Sequence, residues 1–455
     1  MTIDLSSPYI QFFFAASAVH TMWGAYLAWR ERDYVIRTEG EATTRLQKLH
    51  AYAKEVFSRE KLQRSLAYER TATAFGQFES RVSQLICLAA LAFGLVPWML
   101  QVALLDIGLP VWAAIALTSV ALLIGSSIIE LPFDYHSAFA LEERFGFNTM
   151  TLKLFFSDFA KSIAIGSIMQ FAFNVGLFFA FYGLFKLYGD FDIWACLTLA
   201  VASLLFSMVF EVLNDKLILP LFNEMTPLED GPLKTRMEDM LKAYGYSPDG
   251  VFVIDASKRS KHSNAYCAGW GKNKHLVLFD TMLKSFSDDE ILAVLGHELA
   301  HAKLNHLVWG RAMSFVETFA FLYAASLFVS GHCISLMSAF GFRGEVLEGV
   351  AAQSFTDVTM MKTALMVIAF SIFGKIWNSA SWILDGLESW ISRKMEFAAD
   401  AYSCKYTGNS EAMVTALFKL HNENLSYPIS DPLYEAWSFS HPSLVNRVEA
   451  LLSDK

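Results

Sequence analysis

The chain has 455 residues, of which 54% are hydrophobic and 18% charged, with a formal net charge of −9; soluble domains average about 25% charged residues. That balance excludes an ordinary soluble domain, and a net negative charge without a basic cluster argues against nucleic acid as a partner. The five cysteines, Cys87, Cys196, Cys267, Cys333 and Cys404, are scattered and odd in number. They form neither a disulfide framework nor a zinc spacing, and read as core residues.

Seven apolar runs approach the roughly 20 residues that a bilayer requires. They cover 8–29, 82–105, 109–131, 162–188, 193–213, 313–340 and 364–384. The first run has no basic leader and no small-residue cleavage pattern before Arg30, so it is expected as a membrane helix rather than a signal peptide. Segment 30–81 holds 11 basic and 8 acidic residues, net +3, whereas the loops near Asp106, near Asp190 and Asp192, and over 343–362 are acidic or nearly so. Short cytoplasmic loops are enriched in Lys and Arg. Seven crossings then place the N-terminus outside and the C-terminus in the cytoplasm. Segment 30–81 mixes both charges with aromatic and aliphatic residues, which predicts cytoplasmic helices rather than disorder.

Two polar regions leave the membrane on the cytoplasmic side, 221–310 and everything after 384. They can fold together although two crossings separate them. The expected organisation is helices and loop over 1–220, the first half of a polar domain over 221–310, two more crossings over 311–385, and the second half of that domain over 386–455. In the first half, Gly231-Pro232 opens a helix that stops near Gly245. Strands are predicted at 251–254 and 275–279, with an exposed strand around Asn264 and Ala265. Ser287-Asp-Asp-Glu290 is a capping-box pattern, and the helix it opens runs through residue 301.

On that helix lies His297-Glu298-Leu-Ala-His301. Residues i and i+4 share a helix face, so both imidazoles can reach one metal ion while Glu298 stands beside its open position. A catalytic zinc takes three protein ligands and leaves a fourth position for water. In Ser392-Arg-Lys-Met-Glu396-Phe-Ala-Ala-Asp400, two carboxylates are again spaced i, i+4. Glu396 is the candidate third ligand, and Asp400 the partner that fixes a ligating imidazole's tautomer. From spacing alone, a solvated acidic face stands as the alternative.

These two motifs together resemble the type I CAAX prenyl proteases, integral-membrane gluzincins that process isoprenylated proteins. The likeness extends through Leu131-Pro-Phe133, Glu142-Glu-Arg-Phe-Gly-Phe-Asn148, Ser257-Lys-Arg-Ser260, His262-Ser-Asn-Ala-Tyr266, Lys272-Asn-Lys274, Leu278-Phe-Asp-Thr281 and Ser440-His-Pro-Ser443. Ala300 departs from the family's usual glycine but leaves the ligand spacing intact. The resemblance implies a mainly α membrane protein whose roughly seven helices enclose a chamber, with a cytosolic α+β gluzincin domain. It implies one Zn2+ on His297, His301 and Glu396, with Glu298, Asp400 and His441 catalytic, His441 stabilising the oxyanion. It also implies that Asn264 and Ala265 bind extended substrate by strand addition, and that Arg447 orients the His441 segment or meets substrate. Glu130, Glu211, Asn214, Glu317 and Asn378, polar groups in or near apolar runs, would line the chamber or join helices.

The expected substrates are isoprenylated C-terminal peptides, recruited with membrane lipid as a partner, in the endoplasmic reticulum membrane or alternatively a bacterial inner membrane. The chain's own end, Leu452-Ser-Asp-Lys455, is no prenylation box. Two other readings compete. One is a quality-control protease with the same site that clears misfolded or translocon-clogging proteins without a lipid requirement. The other is a non-catalytic scaffold with structural zinc, which the lack of a suitably spaced fourth ligand disfavours.

Overall fold

A computed structural model of the protein describes residues 3–247, 250–269, 274–342, 344–353 and 357–453. Lys272 and Asn273 of the motifs quoted above, Arg343 and the last two residues lie outside them. Five helical runs are long and apolar enough to cross a membrane: Val111–Phe145, Leu152–Tyr188, Ile193–Phe222, His306–Val329 and Val358–Thr407. The last is apolar through the helix Val358–Ala380; beyond the turn Ser381–Leu384 it continues as the polar helix Asp385–Thr407.

The expected run 82–105 is a broken span. Helices Arg59–Ala92 and Leu95–Asp106 meet at 52°, and the hinge is Gly94 at φ 64, a left-handed conformation that a side chain disfavours. Run 313–340 is likewise interrupted. Its helix ends at Val329, and a turn leads into the short helix Cys333–Ala339. Run 8–29 lies inside the 42-residue helix Pro8–Leu49, where Gln11, Ser17, His20 and Thr21 dilute the apolarity below that of the other spans. The chain thus shows five or six strongly apolar crossings and a first helix of mixed character, among the described residues.

Aromatic packing ties the spans together. Phe181 stacks on Phe191 with ring centroids 4.7 Å apart, and Phe370 meets both edge-on at 5.2 and 5.3 Å. Glu211 ion-pairs with Arg311 at 2.7 Å, which joins two spans through one of the expected intramembrane carboxylates. Asn378 lines an opening of about 640 Å³ between the first helix, Arg59–Ala92 and Val358–Ala380.

Outside the spans lies a four-stranded sheet, β1 (Met225–Pro227), β2 (Val251–Ile254), β3 (Ala265–Ala268) and β4 (His275–Phe279), in the order β1-β2-β4-β3. β2 and β4 are parallel; the other pairs are antiparallel. Leu276, Val277 and Leu278 are completely buried, as a central strand covered on both faces requires. Packing against the sheet, the helix Asp288–Lys303 also contacts Asp385–Thr407 and Ser410–Glu423. One apolar cluster joins Met237, Leu241, Leu276, Leu278, Leu295 and Leu299 to Ala416. A second joins Val35, Leu46, Phe57 and Leu66, from segment 30–81, to Ala293, Leu417, Leu444 and Val448. That segment is helical, as its composition predicts.

Candidate active site

The capping box forms. Glu290 Oε2 accepts the Ser287 backbone N–H at 2.8 Å, Ser287 Oγ accepts that of Glu290 at 3.4 Å, and Lys419 Nζ donates to the same carboxylate at 2.7 Å. Asp288, Asp289 and Glu290 in the first turn suit the positive end of the helix dipole. Just before the first histidine, Gly296 lets the helix Asp385–Thr407 approach closely: a Cβ there would lie 2.6 Å from Ser403 Oγ. Ser403 uses that proximity to donate to the Ala293 carbonyl at 2.7 Å. This contact brings the two motifs, far apart in sequence, onto facing helix surfaces.

At the crossing, His297 Nε2 and His301 Nε2 stand 3.0 Å apart. Glu396 Oε2 is 3.4 Å from His297 Nε2, and Oε1 is 3.3 Å from His301 Nε2. Among the described residues, this trio is the one cluster of at least three His, Cys, Asp or Glu side chains whose donor atoms converge, all within 4.8 Å. Ligands about 2.0–2.1 Å from a tetrahedral zinc stand roughly 3.3 Å from one another, so the spacing fits. Glu396 is 3% exposed, and its Oε2 makes no hydrogen bond of acceptable geometry. A buried carboxylate oxygen left in that state between two imidazoles is explained by a cation.

Asp400, 1% exposed, faces His297 Nδ1 at 2.7 Å and receives two bonds from Arg447, Nε to Oδ2 at 2.8 Å and Nη2 to Oδ1 at 2.6 Å. Burial opposes charge on both carboxyls. The close imidazoles of His297, His301 and His441 outweigh it at Glu396, and Arg447 outweighs it at Asp400, so both stay below the usual carboxylate range. Burial also opposes charge on His297, yet Asp400 and Glu396 raise its pKa to about 9. The pocket is therefore built to hold positive charge. Glu298, between the histidines, is raised by burial, with the neighbouring imidazoles pulling the other way.

His441 is exposed and reaches in from the loop after the helix Pro432–Ser438, placing Nδ1 2.7 Å from Glu396 Oε2. Asn264 is exposed at the start of β3, the edge strand beside the histidine helix. Its carbonyl accepts from Phe279 N at 3.0 Å, and its side chain bonds the Ala265 N–H at 2.8 Å; the Ala265 side chain is buried. Arg447 is 9% exposed and committed to Asp400.

Two positions escape sequence reading. Arg393 Nη1 donates to the carbonyls of Glu435 and Phe439, both at 2.7 Å. Ser389 Oγ donates to that of Trp437 at 3.0 Å, and the Trp437 ring packs where a side chain at Gly386 would point. One face of the helix that carries Glu396 thus grips the segment that presents His441. The available signal was the i, i−3 spacing of Arg393 from Glu396. The second is His306, whose Nδ1 lies 3.0 Å from His301 Nδ1.

Helical spans joined to a candidate metal-ligand cluster beside a half-buried glutamate define a membrane metallopeptidase. Comparison with known proteins agrees: the peptidase family M48 profile matches residues 227–455, and that of the CAAX prenyl protease N-terminal region, five membrane helices, matches 42–224. The chain belongs to peptidase family M48, in its CAAX prenyl protease branch. It is 34% identical to CAAX prenyl protease 1 of Saccharomyces cerevisiae over 94% of this chain and 91% of that protein. With the Arabidopsis thaliana homologue it shares 33% identity over 87% and 88%. The crystal structure of S. mikatae Ste24p superposes with a TM-score of 0.76 at 29% identity, covering 98% of this chain and 99% of that one.

Proposed function

We propose that the protein is a zinc-dependent endopeptidase that removes the last three residues of isoprenylated CAAX proteins, working in the endoplasmic reticulum membrane with its active-site domain toward the cytosol. The observation that carries this reading is the convergence of His297, His301 and Glu396 beside Glu298, in a chain whose relatives named CAAX prenyl protease 1 align over almost its whole length. The polar domain is read as the two segments 221–310 and 386–455, joined through the crossings 311–385 and built on the membrane helices and loop of residues 1–220.

Zinc held by His297, His301 and Glu396 would supply a Lewis acid that polarises the scissile carbonyl and acidifies water. Glu298 takes the proton of the attacking water and passes it to the leaving amine; its burial raises its affinity for that proton. Asp400 accepts from His297 Nδ1 and fixes the tautomer that leaves Nε2 free for the metal, while Arg447 keeps Asp400 ionised and in place. That makes Arg447 a positioning residue. His441 donates to the developing oxyanion from the open side of the cluster. The edge of β3, from Asn264 and Ala265, takes the substrate backbone as an added strand, giving affinity with little demand on side chains.

The test is cleavage of one CAAX peptide in farnesylated and unmodified forms by wild type and Glu298→Gln. Strong preference for the farnesylated form, abolished in Glu298→Gln, supports the assignment. Equal cleavage of both would replace it with the quality-control reading.

A further inference from the structure

Helices Pro8–Leu49 and Arg59–Ala92 run antiparallel past one another: Gln84 Nε2 donates to Thr21 Oγ1 at 3.2 Å, and further along Val35 shares a core with Leu62 and Leu66. Between them opens a cleft of about 540 Å³. Ala25 and Ala28 give its inner end an apolar floor, Val35 and Leu66 close its outer end, and Arg32, Arg70 and Arg81 line it with guanidinium groups. Other arginines of the same segment are neutralised in place, Arg30 by Asp431, Arg37 by Asp33 and Arg45 by Glu449. Among the described residues, Arg32, Arg70 and Arg81 meet no carboxylate. The acids that do line the cleft, Glu31 and Glu69, are raised to about 7 by burial, and Glu31 is already occupied by Ser430 Oγ and the Asp431 N–H. The cleft is therefore cationic at neutral pH.

Its depth is marked by the sequence. Trp29 closes the apolar stretch of the first helix, at the level where interfacial anchors collect. Arg32 lies one helical turn, about 5 Å, beyond Trp29, within the polar layer of roughly 5–8 Å that flanks the hydrocarbon on each side. By the register that Gln84 and Thr21 fix, Arg70 stands about one turn further out than Arg32, and a guanidinium pair at headgroup level with Ala25 and Ala28 on its membrane side complements one kind of ligand.

We propose that this cleft binds an anionic phospholipid, its phosphoryl headgroup held by Arg32 and Arg70 and its acyl chain laid over Ala25 and Ala28 between the two helices. Guanidinium groups pair bidentately with phosphate, and a zwitterionic lipid would bring its own cation into an already cationic cleft.

The experiment uses the full-length, zinc-loaded protein, delipidated in detergent and titrated with phosphatidylglycerol or phosphatidylcholine, with bound lipid counted by native mass spectrometry. The expected result is one tightly held phosphatidylglycerol, at least tenfold preferred over phosphatidylcholine. Arg32→Gln/Arg70→Gln should lose that preference while keeping full zinc content as evidence of folding, and Arg37→Gln, whose charge is already paired, should keep it. Equal binding of the two lipids, an unchanged double variant, or an equal loss in Arg37→Gln would overturn the proposal. Inorganic phosphate at millimolar concentration displacing the lipid completely would overturn the lipid assignment in favour of a free-anion site.

Discussion

Replacing Asp400 by Asn keeps the shape of the side chain and removes its charge. The wild-type carboxylate is buried to 1% exposure, takes two bonds from Arg447 and faces His297 Nδ1 at 2.7 Å. Two costs follow, and they separate. A charged partner of a metal-bound histidine is worth about 10–100-fold in metal affinity, while leaving Arg447 buried without its counter-charge costs about 3–5 kcal/mol of stability. Zinc retention during dialysis against graded chelator reads the first, and thermal unfolding reads the second. Adding Arg447→Gln removes the orphaned charge, so the double variant should recover stability but not zinc affinity. Were Asp400→Asn to hold zinc as tightly as wild type, the assignment of Asp400 to the His297 tautomer would be wrong.

Glu298→Gln should retain zinc and lose roughly 10²–10⁴-fold in kcat, the usual contribution of a general base; a matching loss of zinc would instead mark Glu298 as a ligand. Arg393→Ala should lower kcat without releasing zinc, and should add nothing in a His441→Ala background, because Arg393 acts through the His441 segment; independent effects would refute that link. For His262, burial opposes charge, but hydrogen bonds to Glu142 and Asn424 outweigh it and raise its pKa. A raised histidine pKa contributes stability that is complete below about 6.5 and fades as pH rises through the folded value. The gap in unfolding temperature between wild type and His262→Gln should therefore be widest below about pH 6.5 and shrink above it, and a gap independent of pH would exclude the ionic contribution.

The convergence of the candidate metal ligands was legible because its components obey local rules. A capped helix, an i, i+4 histidine pair and an i, i+4 carboxylate pair each follow from helix periodicity. The strands β2 and β4 announced themselves through β-branched and apolar runs between turn residues. The bend at Gly94 did not, because hydropathy averages over a glycine without registering its φ, and the break after Val329 was hidden because Ser330-Gly331-His332 is too short to lower the average of an apolar run. Arg393 stood in a charged stretch, Ser392-Arg-Lys394, whose default reading is a solvated face, and only the fold brings the carbonyls of Glu435 and Phe439 to it. The depth of Arg447 was equally silent: a buried arginine requires Asp400 opposite, a partner 47 positions away. β1 was missed because three residues ending in proline carry too little pattern.

The trio His297, His301 and Glu396 is divided along the chain, the histidines before two membrane crossings and the carboxylate after them. During synthesis the histidine pair therefore leaves the ribosome well ahead of the carboxylate, and the chain between them must enter the bilayer before the two meet. Such an arrangement gives the nascent chain a built-in delay: until its last span is seated it has the two histidines with neither Glu396 nor Asp400 beside them. On the reading proposed above, a half-made or misinserted copy is a peptidase without an edge, harmless to the unfolded chains that crowd the site of its own synthesis.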